Sequence, residues 1–196
     1  MIRPDITLGI LAGGRATRLG GLDKAWLQRD GKPQVLRWRD RFAKEVSATL
    51  VSANRDLPRY EAAGLQAVAD AIVGDVGPVA GIAALAAACR TRWLLTIPVD
   101  LIGVNECLLQ TLVVECAHDG AYACDDDGVQ PLVALWRVAA LGPAIPAAIA
   151  SDDVAVHSLQ RRLDMASVCF YGERFGNLNT LADLTVAGIQ TTRPQP

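Results

Sequence analysis

Aromatic residues are scarce in this chain of 196 residues, and neither sign of charge is in clear surplus. Aromatics make up 5% of the chain and hydrophobic residues 51%, while 19 Lys and Arg face 21 Asp and Glu, for a net charge of −2. This balance excludes the basic footprint of a nucleic-acid binder or of a protein held on anionic membranes. The hydrophobic share is ample for a core and excludes disorder. If the ligands are polyanions, a local positive site must bind them.

The cysteines lack the spacing of a disulfide or metal scaffold. They are odd in number and scattered without a CxxC pair: Cys89, Cys107, Cys116, Cys124 and Cys169. A disulfide framework or zinc knuckle is therefore not expected, and we interpret them as small hydrophobes in a reducing compartment. The N-terminus lacks the charged start, long apolar stretch and cleavage site of a signal peptide, and no apolar run is long enough to cross a bilayer. We expect a cytoplasmic protein.

Short apolar runs alternate with segments of helical periodicity along the chain. Strands are predicted at 6–11, 49–52, 66–69, 93–97, 121–123, 132–136 and 168–171. Helices are predicted at 35–45, 57–63, 79–88, 139–150, 158–163 and 181–187, and a further one is predicted to follow a cap at Asn105 and to have Leu108, Leu109, Leu112 and Val113 on its apolar face. Such alternation predicts βαβ units, hence an α/β fold of three layers, with a mostly parallel sheet and helices on both faces. One domain over 1–190 accounts for every element, with a frayed tail at 191–196.

Three features that can carry chemistry follow predicted strands. The first is a glycine-rich loop at 11–24, the second is Asp70, and the third is Asp100. In a parallel sheet, ligands bind beyond the carboxyl ends of the strands, so these features are expected to meet at one edge. Their shared position in the topology is a stronger indication than any one of them.

The glycine-rich loop has the composition of a phosphate or nucleoside cradle. Its paired glycines, Gly13 and Gly14, let backbone N–H groups approach a ligand, and Arg18 and Lys24 add positive charge. The glycine spacing differs from that of a dinucleotide fold, and Ala25 after Lys24 excludes a P-loop. An ordinary glycine-rich connection with solvated charges explains the composition about as well.

The two aspartates have both a chemical and a plain interpretation. Asp70 can accept hydrogen bonds from a purine edge or a ribose, or serve as a turn carboxylate. The glycines at 77 and 81 allow a ligand close to a helix N-terminus, which favours anions. Asp100 suits Mg²⁺, which takes one or two carboxylates together with substrate phosphates, but it also fits a turn.

Read together, these motifs resemble one family over nearly the whole chain: the molybdenum cofactor guanylyltransferases. The specific part is LAGGxxxRxGGxDK at 11–24; supporting matches are GKP at 31–33, ANR at 53–55, GPxAG at 77–81, QPL at 130–132, LWR at 135–137 and FGNLNT at 175–180. The shorter form LAGGxxxRxG…K is shared with nucleotidyltransferases that act on sugar phosphates. The resemblance implies a Rossmann-like nucleotidyltransferase fold and Mg²⁺-dependent transfer of GMP from GTP to molybdopterin, which forms the guanine dinucleotide cofactor and pyrophosphate.

The resemblance also implies roles for individual residues. The guanine and ribose side of the pocket would be lined by Leu11, Ala12 and Gly13, and the loop and the GTP site would be shaped by Gly14, Arg18 and Gly81. Lys24 would contact the triphosphate, Asp70 would contact the nucleoside, and Asp100 would bind the Mg²⁺. Asn177 and Asn179 would face the pterin substrate. Lys24, Arg18 and Asp100 would carry the catalysis. Contacts with other cofactor-biosynthesis proteins or recipient molybdoenzymes would be transient, and neither nucleic acid nor membrane is expected as a partner.

Three departures from the family pattern leave alternatives open. Ser52 stands where the family has Asn, Leu101–Gly103 lacks the usual Pro, and Leu181 replaces a Pro. A CTP-dependent molybdopterin cytidylyltransferase and a nucleotide-binding module without turnover are the main alternatives. Other polar clusters favour plain interpretations: the acidic run at 125–127 as a solvated loop, and the arginines at 161–162 as a solvated helix face.

Overall fold

A computed structural model describes residues 5–13, 23–72 and 76–189 of the chain. Its strands are β1 (Ile6–Leu11), β2 (Gln28–Arg29), β3 (Lys32–Pro33), β4 (Ala48–Ser52), β5 (Gln66–Val68), β6 (Trp93–Pro98), β7 (Gly120–Asp125), β8 (Gly128–Arg137) and β9 (Ala166–Cys169). Its helices are α1 (Gln34–Phe42), α2 (Leu57–Ala62), α3 (Pro78–Ala88), α4 (Leu108–Glu115), α5 (Val138–Ala150), α6 (Val156–Arg162) and α7 (Leu181–Val186). The predicted tail at 191–196 lies outside the described residues.

Seven of these strands form one mixed sheet in the order β5-β4-β1-β6-β8-β7-β9. β1 pairs in parallel with both β4 and β6, β4 with β5, and β7 with β9, whereas β8 runs antiparallel to its neighbours β6 and β7. The predicted α/β class with a mostly parallel sheet is confirmed. The single-domain expectation stays a prediction.

The period-two alternation of the strands builds a core on each face of the sheet. In β6, for example, Leu94 belongs to one apolar cluster while Leu95 and Ile97 belong to the other. Residues of α1 and α4 complete the cluster on one face, and residues of α3, α5 and α6 complete the cluster on the opposite face. The apolar faces of sheet and helices are thereby removed from water, which is the main driving force of the fold.

The element bounds mostly confirm the sequence prediction, with informative shifts. β1 has the predicted limits, because its apolar run is bounded by polar and glycine residues. β9 begins two residues earlier than predicted, because it follows the register of β7, from Ala121 opposite Ala166 to Cys124 opposite Cys169. α4 begins at Leu108 with Cys107, rather than the predicted Asn105, at the cap position, and the Asn105 side chain accepts a hydrogen bond from the Cys107 N–H.

A small hairpin that was not predicted, β2 and β3, lies outside the main sheet, and its two-residue turn is Asp30-Gly31, both with positive φ (53° and 73°). It follows a 3₁₀ turn at Lys24–Trp26, and Arg29 of β2 forms an isolated bridge with Ile189 near the C-terminal end of the described chain. Leu27 after the turn packs in a third apolar cluster with Leu178, Leu184, Ala187 and Ile189. The hairpin therefore brings the last described helix, α7, next to the Lys24 turn.

The expectation of five separate cysteines is wrong for one pair. Cys124 and Cys169 are register partners on neighbouring parallel strands, with Cα atoms 4.5 Å apart, and a disulfide joins them. They are 45 residues apart in sequence, so spacing alone gives no sign of the pairing. Cys89, Cys107 and Cys116 are free thiols. Within the described ranges, no helix has the length and apolar character needed to cross a membrane.

Candidate functional site

A cavity of about 860 Å³ opens where β1, β4 and β6 end. Six of the predicted site residues line it: Leu11, Ala12, Gly13, Asp70, Gly81 and Asp100. The parallel pairing of the three strands puts their carboxyl ends side by side, and the loops that follow them form the walls. The structure therefore brings together residues that are up to 89 positions apart in sequence.

Asp70 forms one end of the cavity with two polar neighbours from the end of β4. Its carboxylate accepts hydrogen bonds from the Ser52 hydroxyl at 3.2 Å and from the Asn54 amide at 2.7 Å. The Asp70 backbone N–H in turn donates to the Asn54 side-chain oxygen at 2.9 Å. Asn54 thus holds both the backbone and the carboxylate of Asp70. The sequence contained this residue in its ANR match, but its contact with Asp70 follows only from the fold.

Two glycines let the walls of this end come close together. A Cβ on Gly13 would lie 3.7 Å from both the Ser52 Oγ and the Asn54 Nδ2, at ordinary contact distance. A Cβ on Gly81 would lie only 2.7 Å from the Ser52 Oγ and 3.1 Å from the Leu11 Cδ2. Gly81 is therefore required for α3 to pack against the ends of β1 and β4, whereas Gly13 leaves open room toward the cavity.

Lys24 and Asp100 form an ion pair at the other end of the cavity. The Lys24 Nζ donates to the Asp100 Oδ2 at 2.8 Å, and both side chains keep about a fifth of their surface exposed, 21% and 23%. The same Nζ donates to the Asn179 Oδ1, also at 2.8 Å. The turn that carries Lys24 is capped by the Asp23 carboxylate, which accepts from the Ala25 N–H. Lys24 and Asp100, both predicted on the nucleotide side, are therefore in direct contact through Lys24 with Asn179, which was predicted on the pterin side.

A C-terminal segment, residues 175–180, is hydrogen-bonded along the loop that follows Asp100. The Leu178 N–H donates to the Asp100 carbonyl at 2.8 Å, and Asn177 bridges with Leu101. The N–H groups of Ile102 and Gly103 donate back to the carbonyls of this segment. These contacts hold Asn177 and Asn179 along the loop that follows Asp100, and neither lines the cavity, so their place on the pterin side stays a prediction.

Asp125, which the sequence grouped with a solvated acidic loop, anchors the start of that segment. Its side chain is buried and accepts hydrogen bonds from the Phe175 N–H at 2.8 Å, the Gln130 amide at 3.0 Å and the Asp127 N–H at 3.0 Å. Burial raises the pKa of the Asp125 carboxyl, but these hydrogen bonds outweigh burial and hold that pKa below its ordinary value. Asp125 is therefore a structural carboxylate, and the plain interpretation of a solvated loop is wrong for it.

An aromatic and cationic wall borders the cavity beside α2. The Arg59 guanidinium stacks 4.2 Å above the ring of Trp26, and the ring of Trp26 lies 5.0 Å from that of Tyr60. Tyr60 is fully buried, and burial raises the pKa of its phenol well above the ordinary value. The tyrosine is accordingly a neutral packing group at physiological pH. Arg55 and Arg59 also line the cavity, and no sequence motif singled out Arg59.

Asp100 has the donor chemistry for a magnesium ion that is shared with a substrate. Within the described ranges, no three His, Cys, Asp or Glu side chains come together as a self-contained metal site. Mg²⁺ usually takes only one or two carboxylates and completes its shell with phosphates and water. A single partly exposed carboxylate at a cavity edge fits this pattern. Gly14 and Arg18, two further predicted site residues, lie outside the described part of the chain.

Solved structures with this architecture cover nearly the whole chain. Molybdopterin-guanine dinucleotide biosynthesis protein A from Archaeoglobus fulgidus superposes with a TM-score of 0.67 at 20% identity, over 93% of this chain and 96% of that one. The 2-C-methyl-D-erythritol 4-phosphate cytidylyltransferase from Thermus thermophilus superposes with a TM-score of 0.63 at 17% identity, over 92% of this chain and 96% of that one. The chain therefore shares its fold with these two proteins over almost its whole length.

Sequence comparison shows both the enzyme class, a nucleotidyltransferase, and the family. The family model described as the MobA-like NTP transferase domain matches residues 8–166, and the chain belongs to that family. A curated relative from Yersinia pseudotuberculosis, named molybdenum cofactor guanylyltransferase, is 35% identical over 185 residues, which cover 93% of this chain and 94% of the relative.

Proposed function

We propose that this enzyme transfers GMP from GTP to molybdenum-bound molybdopterin and releases pyrophosphate. The observation that carries the proposal is the arrangement of the cavity, with a carboxylate bound by polar neighbours at one end and a Lys–Asp pair at the other. The first suits a nucleobase or ribose, and the second suits phosphates. The name of the Yersinia relative supports guanine as the base and molybdopterin as the acceptor.

Asp70 favours GTP over CTP because of the donors that each base offers. Guanine presents N1–H and an exocyclic amino group side by side, a pair that one carboxylate can accept. Cytosine has no such pair of adjacent donors. Asn54 and Ser52 hold the Asp70 carboxylate in one orientation, and such fixed acceptors discriminate strongly between ligands that can and cannot pair with them.

The proposed reaction is an in-line displacement at the α-phosphorus of GTP. An oxygen of the molybdopterin phosphate forms a new bond to that phosphorus, the bond to the bridging oxygen of the β-phosphate breaks, and pyrophosphate leaves with the electron pair. The attacking phosphate is already ionised, so no side chain has to act as a general base. Both reactants are anions, so positioning and charge neutralisation carry most of the catalysis.

Lys24 binds the phosphates and offsets the negative charge that develops on the leaving pyrophosphate. Arg18 is proposed for the same task from the glycine-rich loop. Asp100 would hold Mg²⁺, which neutralises phosphate charge when it is bound. Asn177 and Asn179 are proposed on the acceptor side. The finer assignments of a cytoplasmic location and of transient contacts with other cofactor-biosynthesis proteins or recipient molybdoenzymes belong to this proposal too.

A coupled assay tests the function directly. Pyrophosphate release is measured with GTP, CTP and ATP in turn, with and without molybdopterin and with Mg²⁺ present. Release that requires molybdopterin and is fastest with GTP is expected. Faster release with CTP would assign the cytidylyltransferase alternative, and GTP binding without any release would assign a binding module without turnover.

A further inference from the structure

The ammonium group of Lys24 is held by two acceptors from distant parts of the chain. The Asp100 carboxylate and the Asn179 amide oxygen each lie 2.8 Å from the Lys24 Nζ, and the two residues are 76 and 155 positions away in sequence. A lysine ammonium has three donor hydrogens, so these two bonds fix its direction and leave one donor for a ligand. Because the lysine stem is flexible, the two acceptors decide where the charge points.

Packing and capping hold Asn179 in place independently of Lys24. The Asp183 carboxylate accepts hydrogen bonds from the backbone N–H groups of Asn179 at 2.9 Å and of Thr180 at 2.7 Å, in a capping box at the start of α7. Leu178, directly before Asn179, is buried in the same apolar cluster as Leu27, three residues after Lys24. The two partners are therefore carried by segments that are packed against each other.

The two acceptors differ in what they do to the lysine charge. Asp100 is a carboxylate, so its bond to Lys24 neutralises the ammonium and draws it toward the position proposed for the metal. Asn179 is neutral, so it orients the ammonium without opposing its charge. With the amide removed, the ammonium is left to its ion pair with Asp100, which withdraws it from an incoming phosphate.

We propose that Asn179 is a positioning residue that holds Lys24 ready for the phosphates of the nucleotide before any acceptor substrate binds. The inference rests on the proposed role of Lys24 at the triphosphate. It assigns Asn179 to the nucleotide half of the reaction, in addition to the acceptor side on which it was placed above. The C-terminal segment thereby contributes to nucleotide binding as well as to the acceptor site.

A double-mutant cycle without molybdopterin tests this inference. The dissociation constant of GTP is measured by titration calorimetry at constant excess Mg²⁺ for the wild type, Asn179→Ala, Lys24→Ala and the double variant. Asn179→Ala is expected to weaken GTP binding about tenfold, as for the loss of one hydrogen bond to a charged group. The double variant is expected to bind no more weakly than Lys24→Ala alone, because Asn179 acts through Lys24.

The comparison variants separate positioning from other roles. A residue that only contacts the acceptor would leave GTP binding unchanged in Asn179→Ala, and additive losses in the double variant would likewise overturn the inference. A general disturbance of the segment would weaken GTP binding by the same factor in Thr180→Ala, which removes the hydroxyl that caps α7, and that result also contradicts the inference. A thermal melt checks folding, and Asn179→Ser, too short to reach Lys24, replaces Asn179→Ala if that variant unfolds.

Failure of the proposed function is distinguishable from failure of this inference. If the wild type binds CTP or ATP better than GTP, the assignment of guanine fails, and the cycle is repeated with the preferred nucleotide. An intact coupling between Lys24 and Asn179 would then still support the positioning role. If the wild type binds none of the three nucleotides, both the proposed function and the inference are wrong.

Discussion

Gly81 is the residue at which a single added methyl group tests how tightly the floor of the cavity is packed. It lies in the first turns of α3, and its backbone faces the ends of β1 and β4. In Gly81→Ala the new Cβ would lie 2.7 Å from the Ser52 Oγ and 3.1 Å from the Leu11 Cδ2. Ser52 is 1% exposed, so its hydroxyl cannot move into solvent. The expected result is a less stable protein with a weakened Ser52–Asp70 contact.

The change in the free energy of unfolding of Gly81→Ala is the balance between helix propensity, which favours alanine, and crowding, which opposes it. Alanine gains about 0.5–1 kcal/mol over glycine inside a helix. Overpacking of a buried site costs about 1–3 kcal/mol, and the lost hydrogen bond between Ser52 and Asp70 costs about 1 kcal/mol more. The crowding outweighs the propensity, which leaves a net loss of about 1–3 kcal/mol. For a chain of this length, that loss lowers Tm by roughly 3–10 °C.

The assay is thermal unfolding followed by circular dichroism, with Ser52→Ala as a second change. Removing the Ser52 hydroxyl takes away the nearest clashing atom, so Gly81→Ala with Ser52→Ala is expected to melt higher than Gly81→Ala alone. Gly103→Ala is the matched control, because a Cβ there meets nothing within 4 Å. The reasoning is refuted if Gly81→Ala melts at or above the wild type, or if Ser52→Ala lowers Tm equally in both backgrounds.

Three further substitutions probe the sheet, the C-terminal segment and the chemistry. A Cβ on Gly120, whose φ is +141°, would lie 2.1 Å from the Leu135 carbonyl oxygen. Gly120→Ala is therefore expected to disrupt the pairing of β7 with β8, which would be observed as insoluble protein or a large drop in Tm. An unchanged Tm would contradict the close approach. The lowered pKa of Asp125 means that its carboxylate stabilises the fold above pH ~4 and loses that effect as the pH falls through the folded-state pKa. Asp125→Asn should therefore melt below the wild type at pH 7, and the difference in Tm should shrink as the pH falls below ~4, whereas a constant difference would refute this role. Asp100→Asn is expected to slow Mg²⁺-dependent pyrophosphate release by about 100-fold with little change in Tm, and a wild-type rate would remove Asp100 from the reaction.

The parts of the fold that the sequence predicts are those set by local patterns. β1 is an apolar run with clear boundaries, and α3 begins where Gly77 and Pro78 allow a helix to start. The two-residue strands β2 and β3 are too short for any periodicity, and their one local sign is the Asp30-Gly31 turn, a dipeptide typical of tight hairpins. The pairing of Cys124 with Cys169 likewise depends on strand order, which the spacing of cysteines does not reveal.

The site follows the same division between local and long-range information. Asp70 and Asp100 could be placed from sequence, because each directly follows a strand and parallel strands end at a common edge. The bond between Asn54 and Asp70 and the contact of Lys24 with Asn179 could not, because they join residues 16 and 155 positions apart through side chains. Asp125 was misjudged for the same reason, since its partner Phe175 lies 50 residues away.

The charge of the cavity explains why those directed contacts matter. Among its described lining residues, four carboxylates (Asp23, Asp56, Asp70 and Asp100) face two guanidinium groups (Arg55 and Arg59). A triphosphate is therefore not attracted by the general field of this surface, just as the net charge of −2 gives no attraction from the whole chain. The phosphates must then be bound by individual cations placed next to them. The Lys24 ammonium can be one of these cations only if its charge is not fully neutralised by Asp100. A neutral second partner, Asn179, is the arrangement that keeps this charge available.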